Sequence, residues 1–359
     1  MSSLSIKTIT LIVDPIRPNP AAIAQAAQVL LHGGLVAFPT ETVYGLGANA
    51  LDEAAVRKIF EAKGRPASDP LIVHIAGEEQ VAGVAKSVPP LAHTLAQAFW
   101  PGPLTVVLER GSTVPANVSA GRETVAVRVP NHAVPLALIR AAGVPIAAPS
   151  ANLFTRPSPT TAAHVIEDLG GRIDLLLDGG PTPIGLESTV LDLTGAQPAL
   201  LRPGGVPIEA LRQHIPDLSF APRYVELADA EPAPSSPGML LKHYSPRAEL
   251  QLFAGPAERA IERMRQAAQQ ALAAGKLVGI MAPNQDINAF ADLAVVIAAL
   301  GPREDIDQIG RRIFAGMREL DHLGVEHILV RGVDQAGLGL AIWDRLVRAA
   351  EGRVIEVGD

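Results

Sequence analysis

Apolar positions along this chain follow two periods. Short apolar runs at residues 35–38, 71–75, 104–109, 124–129, 145–148, 173–178 and 188–193 read as buried strands. Between them, residues 21–32, 52–62, 91–99, 133–142 and 161–169 repeat their apolar side chains at helical spacing, and 207–214 forms a closing helix. Start and stop signals agree. Asn19-Pro20 opens the first helix and Gly33-Gly34 ends it, while Asp52 and Gly64 bracket the second. Strands and helices alternating this regularly predict an α/β domain, a sheet covered by helices.

The pattern changes after residue 215. Prolines 216, 222, 232, 234, 237 and 246 crowd a stretch with few apolar runs, which predicts an ordered or semi-rigid linker. Alternation then resumes, with strands at 250–253, 277–281, 294–297 and 327–330 and helices at 256–274, 304–323 and 339–350. That is the pattern of a small open sheet of mostly parallel strands. At 359 residues the chain exceeds the usual single domain, so the expected division is 1–215, a linker at 216–247, and 248–359.

Composition narrows the function. The formal net charge is −7, with 15 basic and 17 acidic residues before position 216 and 15 and 20 after it. Neither part is a basic nucleic-acid clamp. With no cysteine there is no disulfide, thiolate zinc site or cysteine nucleophile. The apolar run at 9–13 is far below the roughly 18 residues that a membrane span needs, and a cytoplasmic enzyme is expected.

Candidate chemistry concentrates in residues 36–75. The first strand halts at Pro39 and is followed by the hydroxyls of Thr40, Thr42 and Tyr44 and by Gly45 and Gly47, which read as a binding loop. Lys63 and Arg65 flank the end of the next helix, where a solvated pair complementing the helix dipole competes with a phosphate site. Asp69 and His74 follow at once, although a histidine on an apolar strand is commonly a core residue. Arg128, with Thr124 on the same strand face, either snorkels or binds a carboxylate. Residues 148–152 expose Ser150 and Asn152 at a strand end, either for phosphate oxygens or as a plain Asx-type loop. Glu187, Ser188, Thr189 and Arg202 complete the set. Gly45-x-Gly47-x-x-Ala50 imitates a dinucleotide fingerprint, but helix signals begin only at Asp52, so no nicotinamide cofactor is expected. Gly337-Leu338-Gly339 reads as a strand-to-helix turn, and no P-loop motif occurs.

Nearly the whole chain resembles the L-threonylcarbamoyladenylate synthases. The resemblance is carried by PTETVYGLGANA (39–50), KGRP (63–66), PLIVHI (70–75), WPGPLTVVL (100–108), TVAVRVP (124–130), PIAAPSAN (145–152), GLESTV (185–190), LLRPG (200–204) and SPGMLLKHYSP (236–246). The last motif marks the longer, two-domain form. The resemblance implies a twisted mixed sheet with helices enclosing a large concave nucleotide cavity, plus a small Rossmann-like parallel-sheet domain.

It further implies that ATP meets Lys63, Arg65, Asp69, Thr124, Ser150, Asn152, Ser158 and Arg202, with Tyr244 folding back from the linker and Lys63 and Arg65 as the catalytic cations. Threonine would meet Thr42, His74, Arg128, Ala148 and Ser188. The implied reaction joins threonine, bicarbonate and ATP, with Mg2+ on the phosphates and neither NAD nor zinc. Its product would pass to the machinery that transfers threonylcarbamoyl to tRNA, without a membrane and without strong direct nucleic-acid binding. Two other classes fit less well: an RNA-binding module is disfavoured by the acidic balance, and a hydrogenase-maturation carbamoyl-transfer domain by the missing zinc-finger cysteines.

Overall fold

The computed structural model describes residues 7–220 and 243–358. Its first unit is a ten-stranded mixed sheet built from β1 (Ile9–Ile12), β2 (Val36–Phe38), β3 (Gly45–Asn49), β4 (Ile72–His74), β5 (Leu104–Glu109), β6 (Thr124–Arg128), β7 (Ile146–Ala147), β8 (Leu175–Asp178), β9 (Thr189–Asp192) and β10 (Ala199–Arg202). Their order in space is β1-β8-β2-β3-β7-β4-β6-β5-β9-β10.

Strand alternation sorts the side chains into two cores. Val36, Phe38, Leu175 and Leu177 pack under helices α1 (Pro20–Leu31) and α4 (Ala133–Ala142). Ala37 and Leu176 face the opposite core, shared with α2 (Glu53–Lys63), α3 (Pro90–Phe99) and α5 (Ala162–Leu169). The short helix α6 (Ile208–Arg212) closes the unit.

The second unit is a five-stranded sheet of β11 (Glu249–Ala254), β12 (Val278–Ala282), β13 (Val296–Ala299), β14 (His327–Arg331) and β15 (Val354–Glu356), in the order β13-β12-β14-β11-β15. Every pairing in it is parallel. One face carries α7 (Ala257–Ala273), with the one-turn helix α8 (Asn284–Ile287) after β12. The other face carries α9 (Ile306–His322) and α10 (Gly339–Ala349). The core under α9 and α10 also takes in Val43, Leu186 and Tyr244, so the two units share buried apolar surface. The backbones approach closely at Gly185, where a Cβ would lie 2.6 Å from the Arg311 Cα on α9.

Four strands escaped the sequence reading. β1, within the apolar run at 9–13, is an edge strand on β8. The glycine-rich stretch read as part of a loop is in fact β3, antiparallel to β2. Glycine fits there because a Cβ on Gly47 would sit 2.6 Å from Phe38 and 2.7 Å from Ile146. β10 and β15 are short and half-exposed, which hides their alternation. The Gly337-Leu338-Gly339 turn leads from β14 into α10, as read. The proline-rich linker falls largely on residues 221–242, outside the described residues.

Candidate active site

Helix α2 delivers the first two cations. Asp52 caps its start, and Gly64 ends it in the left-handed region with φ 63°, turning Arg65 back toward the sheet. Lys63 ends up almost wholly buried. Its ammonium donates to the carbonyls of Ser150, at 2.6 Å, and Asn152, so it laces the helix end to the loop after β7. Burial, and after it the neighbouring Arg65 charge, pushes this ammonium well below the ordinary lysine range. Arg65 donates to the Pro70 carbonyl at 2.7 Å and pairs with the Asp69 carboxylate at 3.0 Å. Burial raises the Asp69 carboxyl above its usual value, against the pull of Arg65.

The floor comes from the ends of two parallel strands, where His74 of β4 stands in register with Arg128 of β6. Arg128 is a hub. Its Nε donates to the Gly102 carbonyl at 3.2 Å, and its Nη2 donates to Thr42 Oγ1 at 3.0 Å and lies 2.7 Å from the Glu41 carboxylate. The Thr42 hydroxyl also bonds that of Thr40 at 2.7 Å. Gly102 belongs to the WPGP turn, so that motif braces the arginine. Burial, with help from Arg128, lowers His74 to about 3 and keeps the imidazole neutral.

The far wall is β9 and β10. Arg202 donates to the Ser188 carbonyl at 2.9 Å, and Ser188 Oγ shares a hydrogen bond with Thr105 at 2.8 Å. Gly204 lets the chain after β10 press on this wall, since a Cβ there would lie 2.3 Å from the Ser188 carbonyl carbon. Glu187 accepts from Ser158 Oγ and pairs with Arg345 of α10 at 2.7 Å. His243 and Tyr244 close the roof. The Tyr244 ring lies 5.4 Å from Phe314 and 5.1 Å from the Arg345 guanidinium. Burial pushes the Tyr244 phenol up and the His243 imidazole well down.

Together these walls enclose a narrow cleft with about 50 Å³ of free volume. Thr42, Arg65, His74, Arg128, Ala148, Ser150, Ser188, Arg202 and Tyr244 all line it. Lys63, Asp69, Asn152 and Ser158 stand one layer back, each bonded to a lining residue or to the loop that carries one. Thr124 is not brought in. It pairs with Glu109 at the opposite end of β6 from Arg128, roughly 13 Å away at about 3.3 Å per residue. Lining residues outside the expected binding set include Thr40, Val43, Gly45, Ile72, Pro149, Glu187 and His243. Glu41, beneath Arg128, was likewise outside it. An acid beside two threonines in a loop carries no periodic signal, so only the fold discloses it. Among the described residues, no cluster of three or more His, Asp or Glu side chains is arranged to hold a metal.

A mixed-sheet unit with a cationic, hydroxyl-rich cleft, closed over by Tyr244 and packed on a second, parallel-sheet unit, defines a two-unit α/β protein with a built small-molecule site. The comparisons make this specific. The Sua5/YciO/YrdC family model, described as "Telomere recombination", matches residues 28–204. The model for the threonylcarbamoyl-AMP synthase C-terminal domain matches residues 206–351. Threonylcarbamoyl-AMP synthase of Pyrococcus abyssi is 46% identical over 92% of this chain and 95% of its own. That of Bacillus subtilis is 44% identical over 96% and 97%. The crystal structure of P. abyssi Sua5 complexed with L-threonine superposes with a TM-score of 0.91 at 44% identity, covering 98% of this chain and 100% of that one. The chain belongs to the threonylcarbamoyl-AMP synthase family.

Proposed function

We propose that this enzyme makes L-threonylcarbamoyladenylate and pyrophosphate from L-threonine, bicarbonate or CO2, and ATP, the first step of threonylcarbamoyladenosine modification beside the tRNA anticodon. The observation that carries the reading is that one cleft brings together two differently equipped sets of residues. Arg128, Thr42, His74 and Ser188 suit a small hydroxylated amino acid: a guanidinium for its carboxylate, hydroxyls for its side chain, and a neutral imidazole. Arg65, Ser150 and Arg202 line the same cleft and suit phosphate oxygens. A relative with this fold has been crystallised with L-threonine.

The chemistry asks for these groups and for no protein nucleophile. The threonine amine adds to CO2 as a carbamate. The carbamate oxygen then attacks the α-phosphorus, and pyrophosphate leaves. Positioning and cationic stabilisation of the leaving group are what the protein contributes. Mg2+ would arrive as part of MgATP, because the cleft carboxylates are engaged by arginines: Glu41 by Arg128, Asp69 by Arg65, and Glu187 by Arg345. Lys63 and Arg65 remain the proposed catalytic cations, Arg65 at the cleft and Lys63 through the loop it secures. Domain limits of 1–215 and 248–359 and a cytoplasmic setting belong to the same reading, as does hand-over of the product to the tRNA-modifying machinery.

The test is pyrophosphate release from ATP that depends on both threonine and bicarbonate. Phosphate-dependent RNA binding without turnover would instead support an RNA-binding module and overturn the proposal.

A further inference from the structure

We propose that Arg345, on α10 of the second unit, is a positioning residue for this reaction, setting Glu187 and the adjoining ends of β9 and β10 at the cleft. The inference rests on the synthase reading and gives the second unit a part in it.

Arg345 is fully buried, and its guanidinium nitrogens are divided among separate partners. Nε meets Glu187 at 2.7 Å, Nη1 meets Asp344 at 2.6 Å, and Nη2 donates to the Pro203 carbonyl at 2.9 Å. Only a planar fork can serve three such directions at once; a lysine ammonium on a flexible stem cannot. Two of the partners belong to the first unit and sit next to cleft residues. Glu187 precedes Ser188, and Pro203 follows Arg202, so one side chain fixes both members of the Arg202 to Ser188 contact. The same guanidinium lies 5.1 Å from the Tyr244 ring, beneath the roof.

The surroundings make this an anchored relationship. Gly185 packs directly on the α9 backbone, and Leu186 is buried in the core shared with α9 and α10. The stretch 185–188 is therefore pinned from the second unit on one side while lining the cleft on the other. Glu187 also accepts a hydrogen bond from the Ser158 hydroxyl, so losing its cationic partner would change which way Glu187 and Ser158 turn. A buried carboxylate left without its cation is costly, and relief comes by moving or by taking up a proton.

The experiment compares wild type with Arg345→Lys, Glu187→Gln and the double variant, full length throughout. It measures thermal unfolding, ATP affinity by calorimetry, and steady-state pyrophosphate release. Arg345→Lys is expected to fold, to bind ATP at least tenfold more weakly, and to lower kcat/KM by roughly 10²-fold, the scale of a misplacement near 1 Å. In the Glu187→Gln background the same change should cost several-fold less, because only the Pro203 arm is then left for Arg345 to act through. Equal losses in both backgrounds, or unchanged affinity and kcat/KM in a folded Arg345→Lys, would overturn the proposal. Should wild type show no threonine-dependent turnover, the synthase reading fails by itself, and the calorimetric cycle still decides whether Arg345 acts through Glu187. If Arg345→Lys does not fold, Glu187→Gln carries the test: ATP affinity equal to wild type would overturn it.

Discussion

The ammonium of Lys63 donates to the carbonyl oxygen of Ser150 at 2.6 Å, tying the end of α2 to the loop that lines the cleft. Lys63→Met should therefore weaken the protein even without ligand. Two carbonyls, of half-buried Ser150 and buried Asn152, would lose a donor, and a buried group left unsatisfied costs about 1–3 kcal/mol. Thermal unfolding without nucleotide is expected to shift down together with kcat/KM. A lysine whose only partner was phosphate would leave the ligand-free midpoint where it was, so an unchanged midpoint with lost ATP stabilisation would refute the lacing role.

Threonine recognition should show in KM rather than in folding. Arg128 divides its donors between the Gly102 carbonyl and the Glu41 and Thr42 side of the cleft, which lysine cannot reproduce. Arg128→Lys is expected to raise KM for threonine at least tenfold and to change KM for ATP much less. Among analogues, serine, which lacks only a methyl, should lose about 1–3 kcal/mol. The hydroxyl-free 2-aminobutyrate should fare worse, because a site that bonds a substrate hydroxyl rejects an analogue lacking it more strongly than one lacking a methyl. Competition assays in which 2-aminobutyrate matches serine would show that the hydroxyl is not read.

Most of the scaffold could be read from the chain because its strands and helices carry strong apolar periods and clear caps, as at Asp52 and Gly64. The errors lie where backbone geometry outranks side-chain pattern. β3 is a strand in which Gly47 yields to the bulk of Phe38, a constraint visible only once β2 and β3 are paired. Nine of the residues carried over from the family resemblance line one cleft, Arg65, His74 and Arg128 among them. Which of the carried-over residues face the cleft and which stand behind it was not legible. Whether Lys63 faces ligand or backbone, and whether Thr124 sits at the near or far end of β6, depends on chain direction and register. The pairing of Glu187 with Arg345 spans 158 positions and leaves no local trace.

Stability should fall on mild acidification, and the histidines give the sign. His74 titrates at about 3 and His164 at about 4 in the fold, while His243 is held well below its usual value. Unfolded, each titrates near 6.5. Between these limits the unfolded chain binds more protons, so stability is fully present above about pH 6.5 and is lost as pH falls toward 3. Asp69, raised by burial, works in the opposite sense, contributing stability that is lost as pH rises through its folded value. At about 1.4 kcal/mol per proton and pH unit, His74 alone accounts for about 2 kcal/mol between pH 7 and 5. Urea titrations at those two pH values should show a smaller acid-dependent loss for His74→Gln than for wild type. Equal losses would mean that His74 is not held neutral by the fold.

Tyr244 gives two effects of opposite sign from one atom. Its ring is buried against Phe314 and the Arg345 guanidinium, with φ at 62°, and its hydroxyl faces burial with no hydrogen-bond partner among the described residues. A buried hydroxyl without a partner costs free energy, so Tyr244→Phe should leave the ligand-free midpoint unchanged or raise it. The residue also lines the cleft, where a nucleotide could supply the missing partner. ATP should therefore stabilise Tyr244→Phe less than wild type, with the affinity reduced by the worth of one hydrogen bond, about 0.5–1.5 kcal/mol or roughly twofold to tenfold. Tyr244→Ala removes the ring as well. It opens the roof between the units, so it should lower both the midpoint and the activity. The proline-rich residues preceding Tyr244 lie outside the described set, but proteolysis reports on them: a roof that closes on its substrates predicts slower cleavage between residues 222 and 244 when ATP and threonine are both present. A Tyr244→Phe protein less stable than wild type without ligand, yet equally stabilised by ATP, would place the hydroxyl in the fold and take it out of nucleotide binding.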